Sequence, residues 1–284
     1  DDAEYGPKLV EFNGIAAGMG PFGQRTHELH RFIRSHAPES YALWSSRPNA
    51  ELVDNPAIER LSQGIADAAL TVRNEFQDDG APVFLMVVQE GEDNVYDQHL
   101  LEYALQDRGI RTLRRTFREL NKGLRTGPDN RLLLEGVGAI DCVYLRAGYD
   151  HCDYVADDLH LQNCCETLMK TRVLIEQHRV AVNATISQQL ATSKRVQMAL
   201  SSMTAEALTQ FGLSLNEAHA VKSLLSQMLP ISAETAAAFS EQNPSHWVLK
   251  NQGEGGGHCI FDNDILPKLQ TLTAEDYSAW AMMQ

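Results

Sequence analysis

A chain of 284 residues with a formal charge of −14 has room for one large domain or two ordinary ones, and it repels the phosphates of nucleic acid and of anionic membrane surfaces. Apolar residues make up 43% of it and can supply the core of a soluble globular fold. No signal peptide and no apolar run of membrane-spanning length stands out. The five cysteines, Cys142, Cys152, Cys164, Cys165 and Cys259, show neither C-x-x-C spacing nor a zinc pattern, so reduced thiols in a cytosolic protein are expected. The chain starts without methionine and stops at Met282-Met283-Gln284 inside an apolar run, which leads us to expect a piece of a longer polypeptide.

Lys8-Leu9-Val10-Glu11-Phe12-Asn13 reads as a strand, followed by the small-residue turn Gly14-Ile15-Ala16-Ala17-Gly18. Alternation puts Leu9, Glu11 and Asn13 on one face. A carboxylate and an amide so placed either reach one cation or form the solvated face of an edge strand. Gly20-Pro21-Phe22-Gly23 reads as a turn and Thr26 to Ser35 as a helix. A second helix after Asn55-Pro56 carries the apolar stripe Ile58, Leu61, Ile65, Ala69, Val72 and Phe76.

At Asp78-Asp79-Gly80-Ala81-Pro82 the pattern changes. Val83-Phe84-Leu85-Met86-Val87-Val88 is a continuous apolar run, typical of a strand buried on both faces of a parallel sheet. A helix from Tyr96 to Asp107 and a strand opening at Gly109-Ile110 make a βαβ unit with a right-handed crossover. Strands at Leu132 to Leu134, Ile140 to Leu145 and Val180 to Asn183, with a helix from Leu161 to Gln177, complete an open α/β sheet within residues 82–195. Ligands of such sheets collect at the carboxyl ends of the strands. There, Gln89, Glu90, Glu92, Asn94 and Gln98 follow one strand, and Arg146-Ala147-Gly148-Tyr149 follows another. Arginine with glycine and tyrosine suits a carboxylate clamp; its structural alternative is an ion pair with Asp150 or Asp153. Glu92 and Asp93 read as a solvated loop.

A helix from Ile186 to Leu200 carries Lys194-Arg195, an ordinary exposed basic pair, and amphipathic helices follow over Ala205 to Leu229 and Ala233 to Ser240. Trp247-Val248-Leu249-Lys250 then reads as a short strand delivering a cation to a loop, Asn251 to Gly257, with four glycines in five positions around Glu254. Glycine lets backbone N–H groups approach a ligand closely, and successive N–H groups make a concavity for phosphate oxygens. A carboxylate there repels phosphate unless a divalent cation stands between them, which assigns Lys250 and the loop amides to phosphate and Glu254 to Mg²⁺. The alternative is a surface turn, since the loop is neither Walker A nor G-x-G-x-x-G. Ile265 to Leu272 reads as a helix, and Ser278 to Gln284 opens a last strand.

Four of these segments together resemble the eukaryotic-type glutathione synthetases of the ATP-grasp superfamily. Lys250-Asn251-Gln252-Gly253-Glu254-Gly255-Gly256-Gly257 looks like that family's K-P-Q-R-E-G-G-G loop, and Val10-Glu11-Phe12-Asn13-Gly14-Ile15 like its V-E-x-N-T-I segment. Arg146-Ala147-Gly148-Tyr149 matches R-x-G-Y, and Gln189-Leu190-Ala191-Thr192-Ser193-Lys194 resembles Q-L-x-G-T-K. The resemblance implies an α/β fold, an ATP-grasp ligase with an inserted open, mainly parallel α/β substrate-binding domain. Residues 1–81 would form the N-terminal part of the catalytic body, 82–195 the substrate-binding domain, and 196–284 a helical segment with an incomplete glycine-rich ATP-grasp part.

It further implies Mg²⁺ held by Glu11, Asn13 and Glu254. Lys194, Lys250, Asn251, Gln252, Gly253, Glu254, Gly255, Gly256, Gly257, His258, Cys259, Phe261 and Met283 would surround ATP. Ile15, Ala16, Ala17, Gly18, Glu92, Asp93, Asn94, Gln98, Arg146, Ala147, Gly148 and Tyr149 would surround γ-glutamylcysteine. Glu254, Lys250 and Arg146 would carry the chemistry. Asn251, Gly253 and Phe261 stand where the family has proline, arginine and tyrosine, and His258-Cys259 replaces Asn-Asn. The implied reaction joins γ-glutamylcysteine to glycine through an acyl phosphate, in a cytoplasmic homodimer with no nucleic-acid or membrane partner. Two alternatives stay open: a ligase using another acceptor such as β-alanine, and a non-catalytic nucleotide-binding homologue.

Overall fold

The computed structural model describes residues 6–156, 166–239, 241, 243–253 and 259–284. The chain divides into two compact units, Ile15–Thr185 and a discontinuous one made of Asp1–Gly14 with Ile186–Gln284. In chain order the first is therefore an insertion in the second. Among the described residues no helix is long and apolar enough to cross a membrane.

The inserted unit opens with three helices, α1 (Gly20–His36), α2 (Pro38–Trp44) and α3 (Ala57–Phe76). There follow β1 (Val83–Val87), α4 (Val95–Gln106), β2 (Arg111–Arg115), α5 (Phe117–Gly123), β3 (Leu124–Thr126), β4 (Leu132–Leu134), β5 (Gly138–Ala139), β6 (Cys142–Leu145), α6 (Glu166–Glu176) and β7 (Ala181–Asn183). The main sheet runs β2-β1-β6-β7 and is parallel throughout. Every residue of β1 and β6 is buried, as a continuous apolar run requires when both faces are covered. Phe84, Met86 and Tyr144 pack on one face against Leu101 and Leu105 of α4 and Ile65 and Ala69 of α3. Leu85, Val87, Val143 and Leu145 pack on the other against Leu120 of α5 and Ile175 of α6. At the entry edge Asp141, fully buried, accepts from the Val83 amide at 2.6 Å, from Arg73 Nη1 at 2.8 Å and from Arg131 Nη2.

The discontinuous unit contains α7 (Ile186–Ala191), α8 (Lys194–Ser202), α9 (Ala205–Leu208), α10 (Leu215–Leu224), β8 (Met228–Pro230), α11 (Ala233–Phe239), β9 (Val248–Asn251), β10 (Ile260–Phe261), α12 (Ile265–Thr271) and β11 (Trp280–Met283). Its sheet is antiparallel in the order β10-β9-β11-β8. Leu249 and Met282 face a core with Phe239, Trp247, Ile265 and Leu269. Alternation along β9 turns Val248 and Lys250 to the opposite face.

Several expected boundaries move, each for a local reason. The strand expected at Lys8 to Asn13 contracts to a single bridge, Leu9 with Leu225. The Val10 carbonyl accepts from Lys250 Nζ at 2.8 Å and Gln197 Nε2 at 3.3 Å, so side chains take the place of a neighbouring strand. The turn expected at Gly20 to Gly23 is the first turn of α1, where a proline needs no N–H partner. Leu132 to Leu134 is a strand, but it belongs to a separate antiparallel sheet, β3-β4-β5. The helix expected from Ile186 to Leu200 breaks at Ser193, which is extended and caps α8 by accepting from the Val196 amide at 3.3 Å. The helix expected from Ala205 to Leu229 is broken by Gly212 at φ +86° and restarted by the Ser214–Glu217 capping box; its end is strand β8. Residues 161–165 of the helix expected at Leu161 to Gln177, and Ser240, lie outside the described residues.

Removing the buried acceptor that two guanidiniums and a strand amide share should be costly. Asp141→Ala is expected to lower stability by about 3 kcal/mol or more, read as a drop in the urea midpoint. A midpoint within error of the parent would mean that the arginines find solvent instead.

Candidate functional site

In the discontinuous unit two ammonium groups share one carboxylate. Lys250, in mid-strand β9 and 2% exposed, donates from Nζ to the Val10 carbonyl at 2.8 Å and lies 3.9 Å from Glu11 Oε2. Lys194 is the first residue of α8, placed there by the Ser193 cap. Its Nζ is 3.5 Å from Glu11 Oε2 and donates to the Gly253 carbonyl at 3.3 Å. The expected exposed pair is thus split: Lys194 is buried, and exposed Arg195 donates from Nε to the Ser278 carbonyl at 3.1 Å. The segment that carries Glu11 is held by the Leu9 amide on Leu224 O and by Lys8 Nζ on Ser223 O, both at 2.8 Å. Gly14 then passes so close to Thr192 that a Cβ would sit 2.6 Å from its methyl carbon.

Among the described residues the cluster sets two ammonium groups against one carboxylate, an excess of positive charge. Burial pushes the Lys250 ammonium below its ordinary value of 10.5; Cys259 and Glu11 oppose the shift, and Lys194 adds to it. Glu11, Lys194, Lys250, Asn251, Gly253, Cys259, Phe261 and Met283 all line one cavity of about 470 Å³, whose apolar wall includes Leu9 and Val248. Asn251 Oδ1 accepts from the Gly253 amide at 3.1 Å, a side-chain turn that shapes the start of the loop. Gln252 donates its amide to Ala279 O at 2.8 Å and does not line the cavity. Asn13 is exposed and also lies off it. Glu254, Gly255, Gly256, Gly257 and His258 lie outside the described residues. Buried ammonium groups beside an apolar wall suit an anion that carries a flat apolar group. The Glu11 carboxylate supplies the hard oxygen that a divalent cation takes.

In the inserted unit Arg146 follows β6 directly, its amide continuing the ladder onto Val87 O at 2.8 Å. Its partner is neither Asp150 nor Asp153 but Asp97, in the first turn of α4, with Nη1 to Oδ2 at 2.9 Å and both side chains buried. Asp150 caps the turn at Cys152, and Asp153 accepts from Gln89 Nε2 and the Gly148 amide, both at 2.7 Å. Nε of Arg146 is buried without a hydrogen-bond partner among the described residues. Gly18 lies against the guanidinium, and a Cβ there would come within 2.7 Å of Nη2. Its neighbours run past the end of β6: Ile15 is in the core, the Ala16 amide donates to Leu145 O at 3.1 Å, and Ala17 O accepts from the Tyr144 hydroxyl at 2.8 Å.

The first turn of α4 also holds Glu92. Its Oε2 accepts from Gln98 Nε2 at 2.7 Å and its Oε1 from the Asn94 amide at 3.0 Å. Gln98 is fully buried, whereas Asp93 is exposed. Ala147 turns to the other face of the sheet, lining a separate cavity of about 360 Å³ with Phe117 and Cys152. Gly148, at φ +97°, leaves no room for a Cβ beside the Tyr154 hydroxyl, and half-buried Tyr149 packs on the same core. The structure therefore gathers Gly18, Arg146, Asp97, Gln98 and Glu92 around α4, with Ala147 to Tyr149 on the opposite face. Asp97 escaped sequence reasoning because an aspartate in a first helical turn is ordinary.

The family model described as eukaryotic glutathione synthase, ATP binding domain, matches residues 1–284. The chain is 29% identical to the chloroplastic glutathione synthetase of Solanum lycopersicum, over 97% of this chain and 47% of that protein. It is 29% identical to the glutathione synthetase of Homo sapiens, over 98% and 55%. Among solved structures, a glutathione synthetase-like effector from Globodera pallida in its apo form aligns with TM-score 0.65 at 18% identity, covering 98% of this chain and 55% of that one. The chain spans about half the length of the curated relatives it matches.

If the cavity takes an anion, the lowered Lys250 ammonium should make that binding sensitive to pH. Affinity for inorganic triphosphate is expected to fall as pH rises through the lowered Lys250 value, below 10.5, while Lys250→Met binds weakly and loses that step. In the same window the unliganded protein should gain stability with rising pH, because the unfolded chain binds the extra proton. Calorimetric titration across pH is the check; a parent affinity flat up to the ordinary lysine range would remove Lys250 from the anion site.

Proposed function

This chain belongs to the eukaryotic glutathione synthase family, whose ATP-binding-domain model matches residues 1–284, and on that premise we propose that it works as part of an ATP-dependent ligase joining γ-glutamylcysteine to glycine. The observation that carries the reading is the pair of buried ammonium groups, Lys194 and Lys250, sharing the Glu11 carboxylate in a cavity of about 470 Å³. Among the described residues two ammonium groups face one carboxylate there, and a nucleoside triphosphate supplies the negative charge that balances them. We assign Lys194, Lys250, the loop Asn251 to Cys259, Phe261 and Met283 to ATP. Glu11, Asn13 and Glu254 would hold Mg²⁺, which when bound offsets charge on the transferring phosphoryl group. Arg146, Ile15 to Gly18, Glu92 to Asn94, Gln98 and Ala147 to Tyr149 are assigned to the dipeptide.

The reaction asks for no nucleophilic side chain. A carboxylate oxygen of γ-glutamylcysteine attacks the γ-phosphorus, and ADP leaves with the electrons of the broken bond. The glycine amine then attacks the acyl carbon, loses a proton, and phosphate departs. The protein positions the reactants, offsets phosphate charge through Lys194 and Lys250, and excludes the water that would hydrolyse the acyl phosphate. A homodimer and a cytoplasmic location belong to the same reading and rest on family resemblance.

The test is ADP release that depends on γ-glutamylcysteine, measured on protein made from the complete reading frame, with glycine against β-alanine as acceptor. ATP binding without dipeptide-dependent ADP release would overturn the ligase assignment in favour of a nucleotide-binding homologue.

Two variants probe the assigned roles. Arg146→Lys should raise the KM for γ-glutamylcysteine and leave that for ATP in place, because lysine keeps the charge but loses the planar two-point contact. An unmoved dipeptide KM would take Arg146 out of the substrate site. Glu254→Gln should lower kcat about 10²-fold or more, the scale of one lost preorganised electrostatic contact, with Glu11→Gln acting in the same direction. Full activity and unchanged Mg²⁺ dependence in both would reduce the glycine loop to a surface turn.

A further inference from the structure

Gln98 is assigned to the dipeptide, yet its amide is fully buried and both of its polar ends are taken by the protein. Nε2 donates to Glu92 Oε2 at 2.7 Å, and Oε1 accepts from Arg114 Nη2. Arg114 lies on edge strand β2 in register with Met86, which places it on the α4 face of the sheet. Its guanidinium is fixed there by two further side chains one turn along α4. Glu102 Oε1 is 3.9 Å from Arg114 Nε, and Arg114 Nη1 donates to His99 Nε2 at 3.3 Å. An arginine N–H can only donate, so His99 Nε2 carries the lone pair and its Nδ1–H donates to Glu102 Oε2 at 2.6 Å. Every donor in this chain thus has a defined direction, ending on Glu92, which stays half-buried with lone pairs to spare.

From this we propose that Arg114 is a positioning residue, locking the Gln98 amide from behind so that Gln98 holds the Glu92 carboxylate in place for the dipeptide. The inference rests on the assignment of Glu92 to the dipeptide site. A glutamine amide has two ends of nearly equal size and opposite polarity: Glu92, which only accepts, takes the NH2 end, and Arg114, which only donates, holds the oxygen end from the other side. Without it, Oε1 is a buried acceptor with no donor, and the side chain gives up its hold on Glu92 to find one. On this reading Gln98 belongs to the dipeptide site by holding Glu92 in place, and Arg114 acts through Gln98.

Steady-state kinetics on protein made from the complete reading frame, with both substrates varied, separate this from general loosening of the fold. Arg114→Met should raise the KM for γ-glutamylcysteine about tenfold, the effect of one lost charge-assisted hydrogen bond, while kcat and the KM for ATP hold. Gln98→Met should do the same, and the double variant should be no worse than Gln98→Met alone, because both act on one carboxylate. Gln98→Glu keeps the contact with Arg114 but turns an acceptor toward Glu92, so it should raise the dipeptide KM further than Gln98→Met. If Arg114→Met does not fold, Arg114→Lys and Gln98→Glu decide by the same split. An unchanged dipeptide KM, multiplying effects in the double variant, or a joint shift of kcat and both KM values overturns the positioning role while the parent still turns over. A parent with no dipeptide-dependent ADP release overturns the ligase reading and this inference with it.

Discussion

Two buried ammonium groups leaning on one carboxylate set the terms for the discontinuous unit. Burying a single charge without a partner is costly, and burying two like charges beside each other is worse. Lys250 and Lys194 are kept because the backbone contributes acceptors: Val10 O for one and Gly253 O for the other. Three stretches far apart in sequence have to meet for this to happen. The segment Lys8 to Glu11 brings the carbonyl and the carboxylate, the Ser193 cap brings Lys194, and β9 brings Lys250. That dependence explains why the N-terminal segment folds as an irregular strap anchored by side chains. Its polar backbone serves the lysines, so it is not free to build a sheet.

The inserted unit solves a different problem with the opposite sign. At the carboxyl edge of its parallel sheet an arginine emerges into a nearly dry environment, and the first turn of α4 answers it with Asp97. The neighbouring residue of the same turn, Gln98, faces Glu92. One helical turn therefore orients a cation and an anion at once. Both groups sit on rigid elements, a strand end and a helix start, which is how side chains are held within the tolerance that substrate recognition demands.

Legibility followed burial. Val83 to Val88 could be read as a central strand because nothing but a doubly covered sheet tolerates that run, and β1 is buried along its whole length. Trp247 to Lys250 likewise announces β9, which runs one residue beyond the lysine. What failed were places where a local polar residue overrides a helical pattern. Ser193 stops one helix and caps the next, and the Ser214-x-x-Glu217 box restarts another after Gly212; that box was visible in the sequence as a capping signature. Lys194 was read as exposed because its burial depends on Glu11 and Gly253, distant residues that no local pattern connects to it. The Lys194–Glu11 and Arg146–Asp97 pairings belong to tertiary structure, and one sequence alone names the residues without naming the partners.

The guanidinium of Arg146 shows what the pairing leaves over. Asp97 takes Nη1, and Gly18 packs against the guanidinium where any side chain would collide with Nη2. Nε has no partner among the described residues, although a buried donor of this kind nearly always finds one. The edge formed by Nε and Nη2 is the edge with which arginine grips a carboxylate at two points. Asp97 thus fixes the group by the nitrogen that a ligand needs least, and leaves the two-point edge uncommitted. A lysine could satisfy Asp97 equally well, but it would offer nothing on the other side. For this reason the identity of the residue behind β6, more than its charge, carries the argument for a carboxylate-bearing substrate.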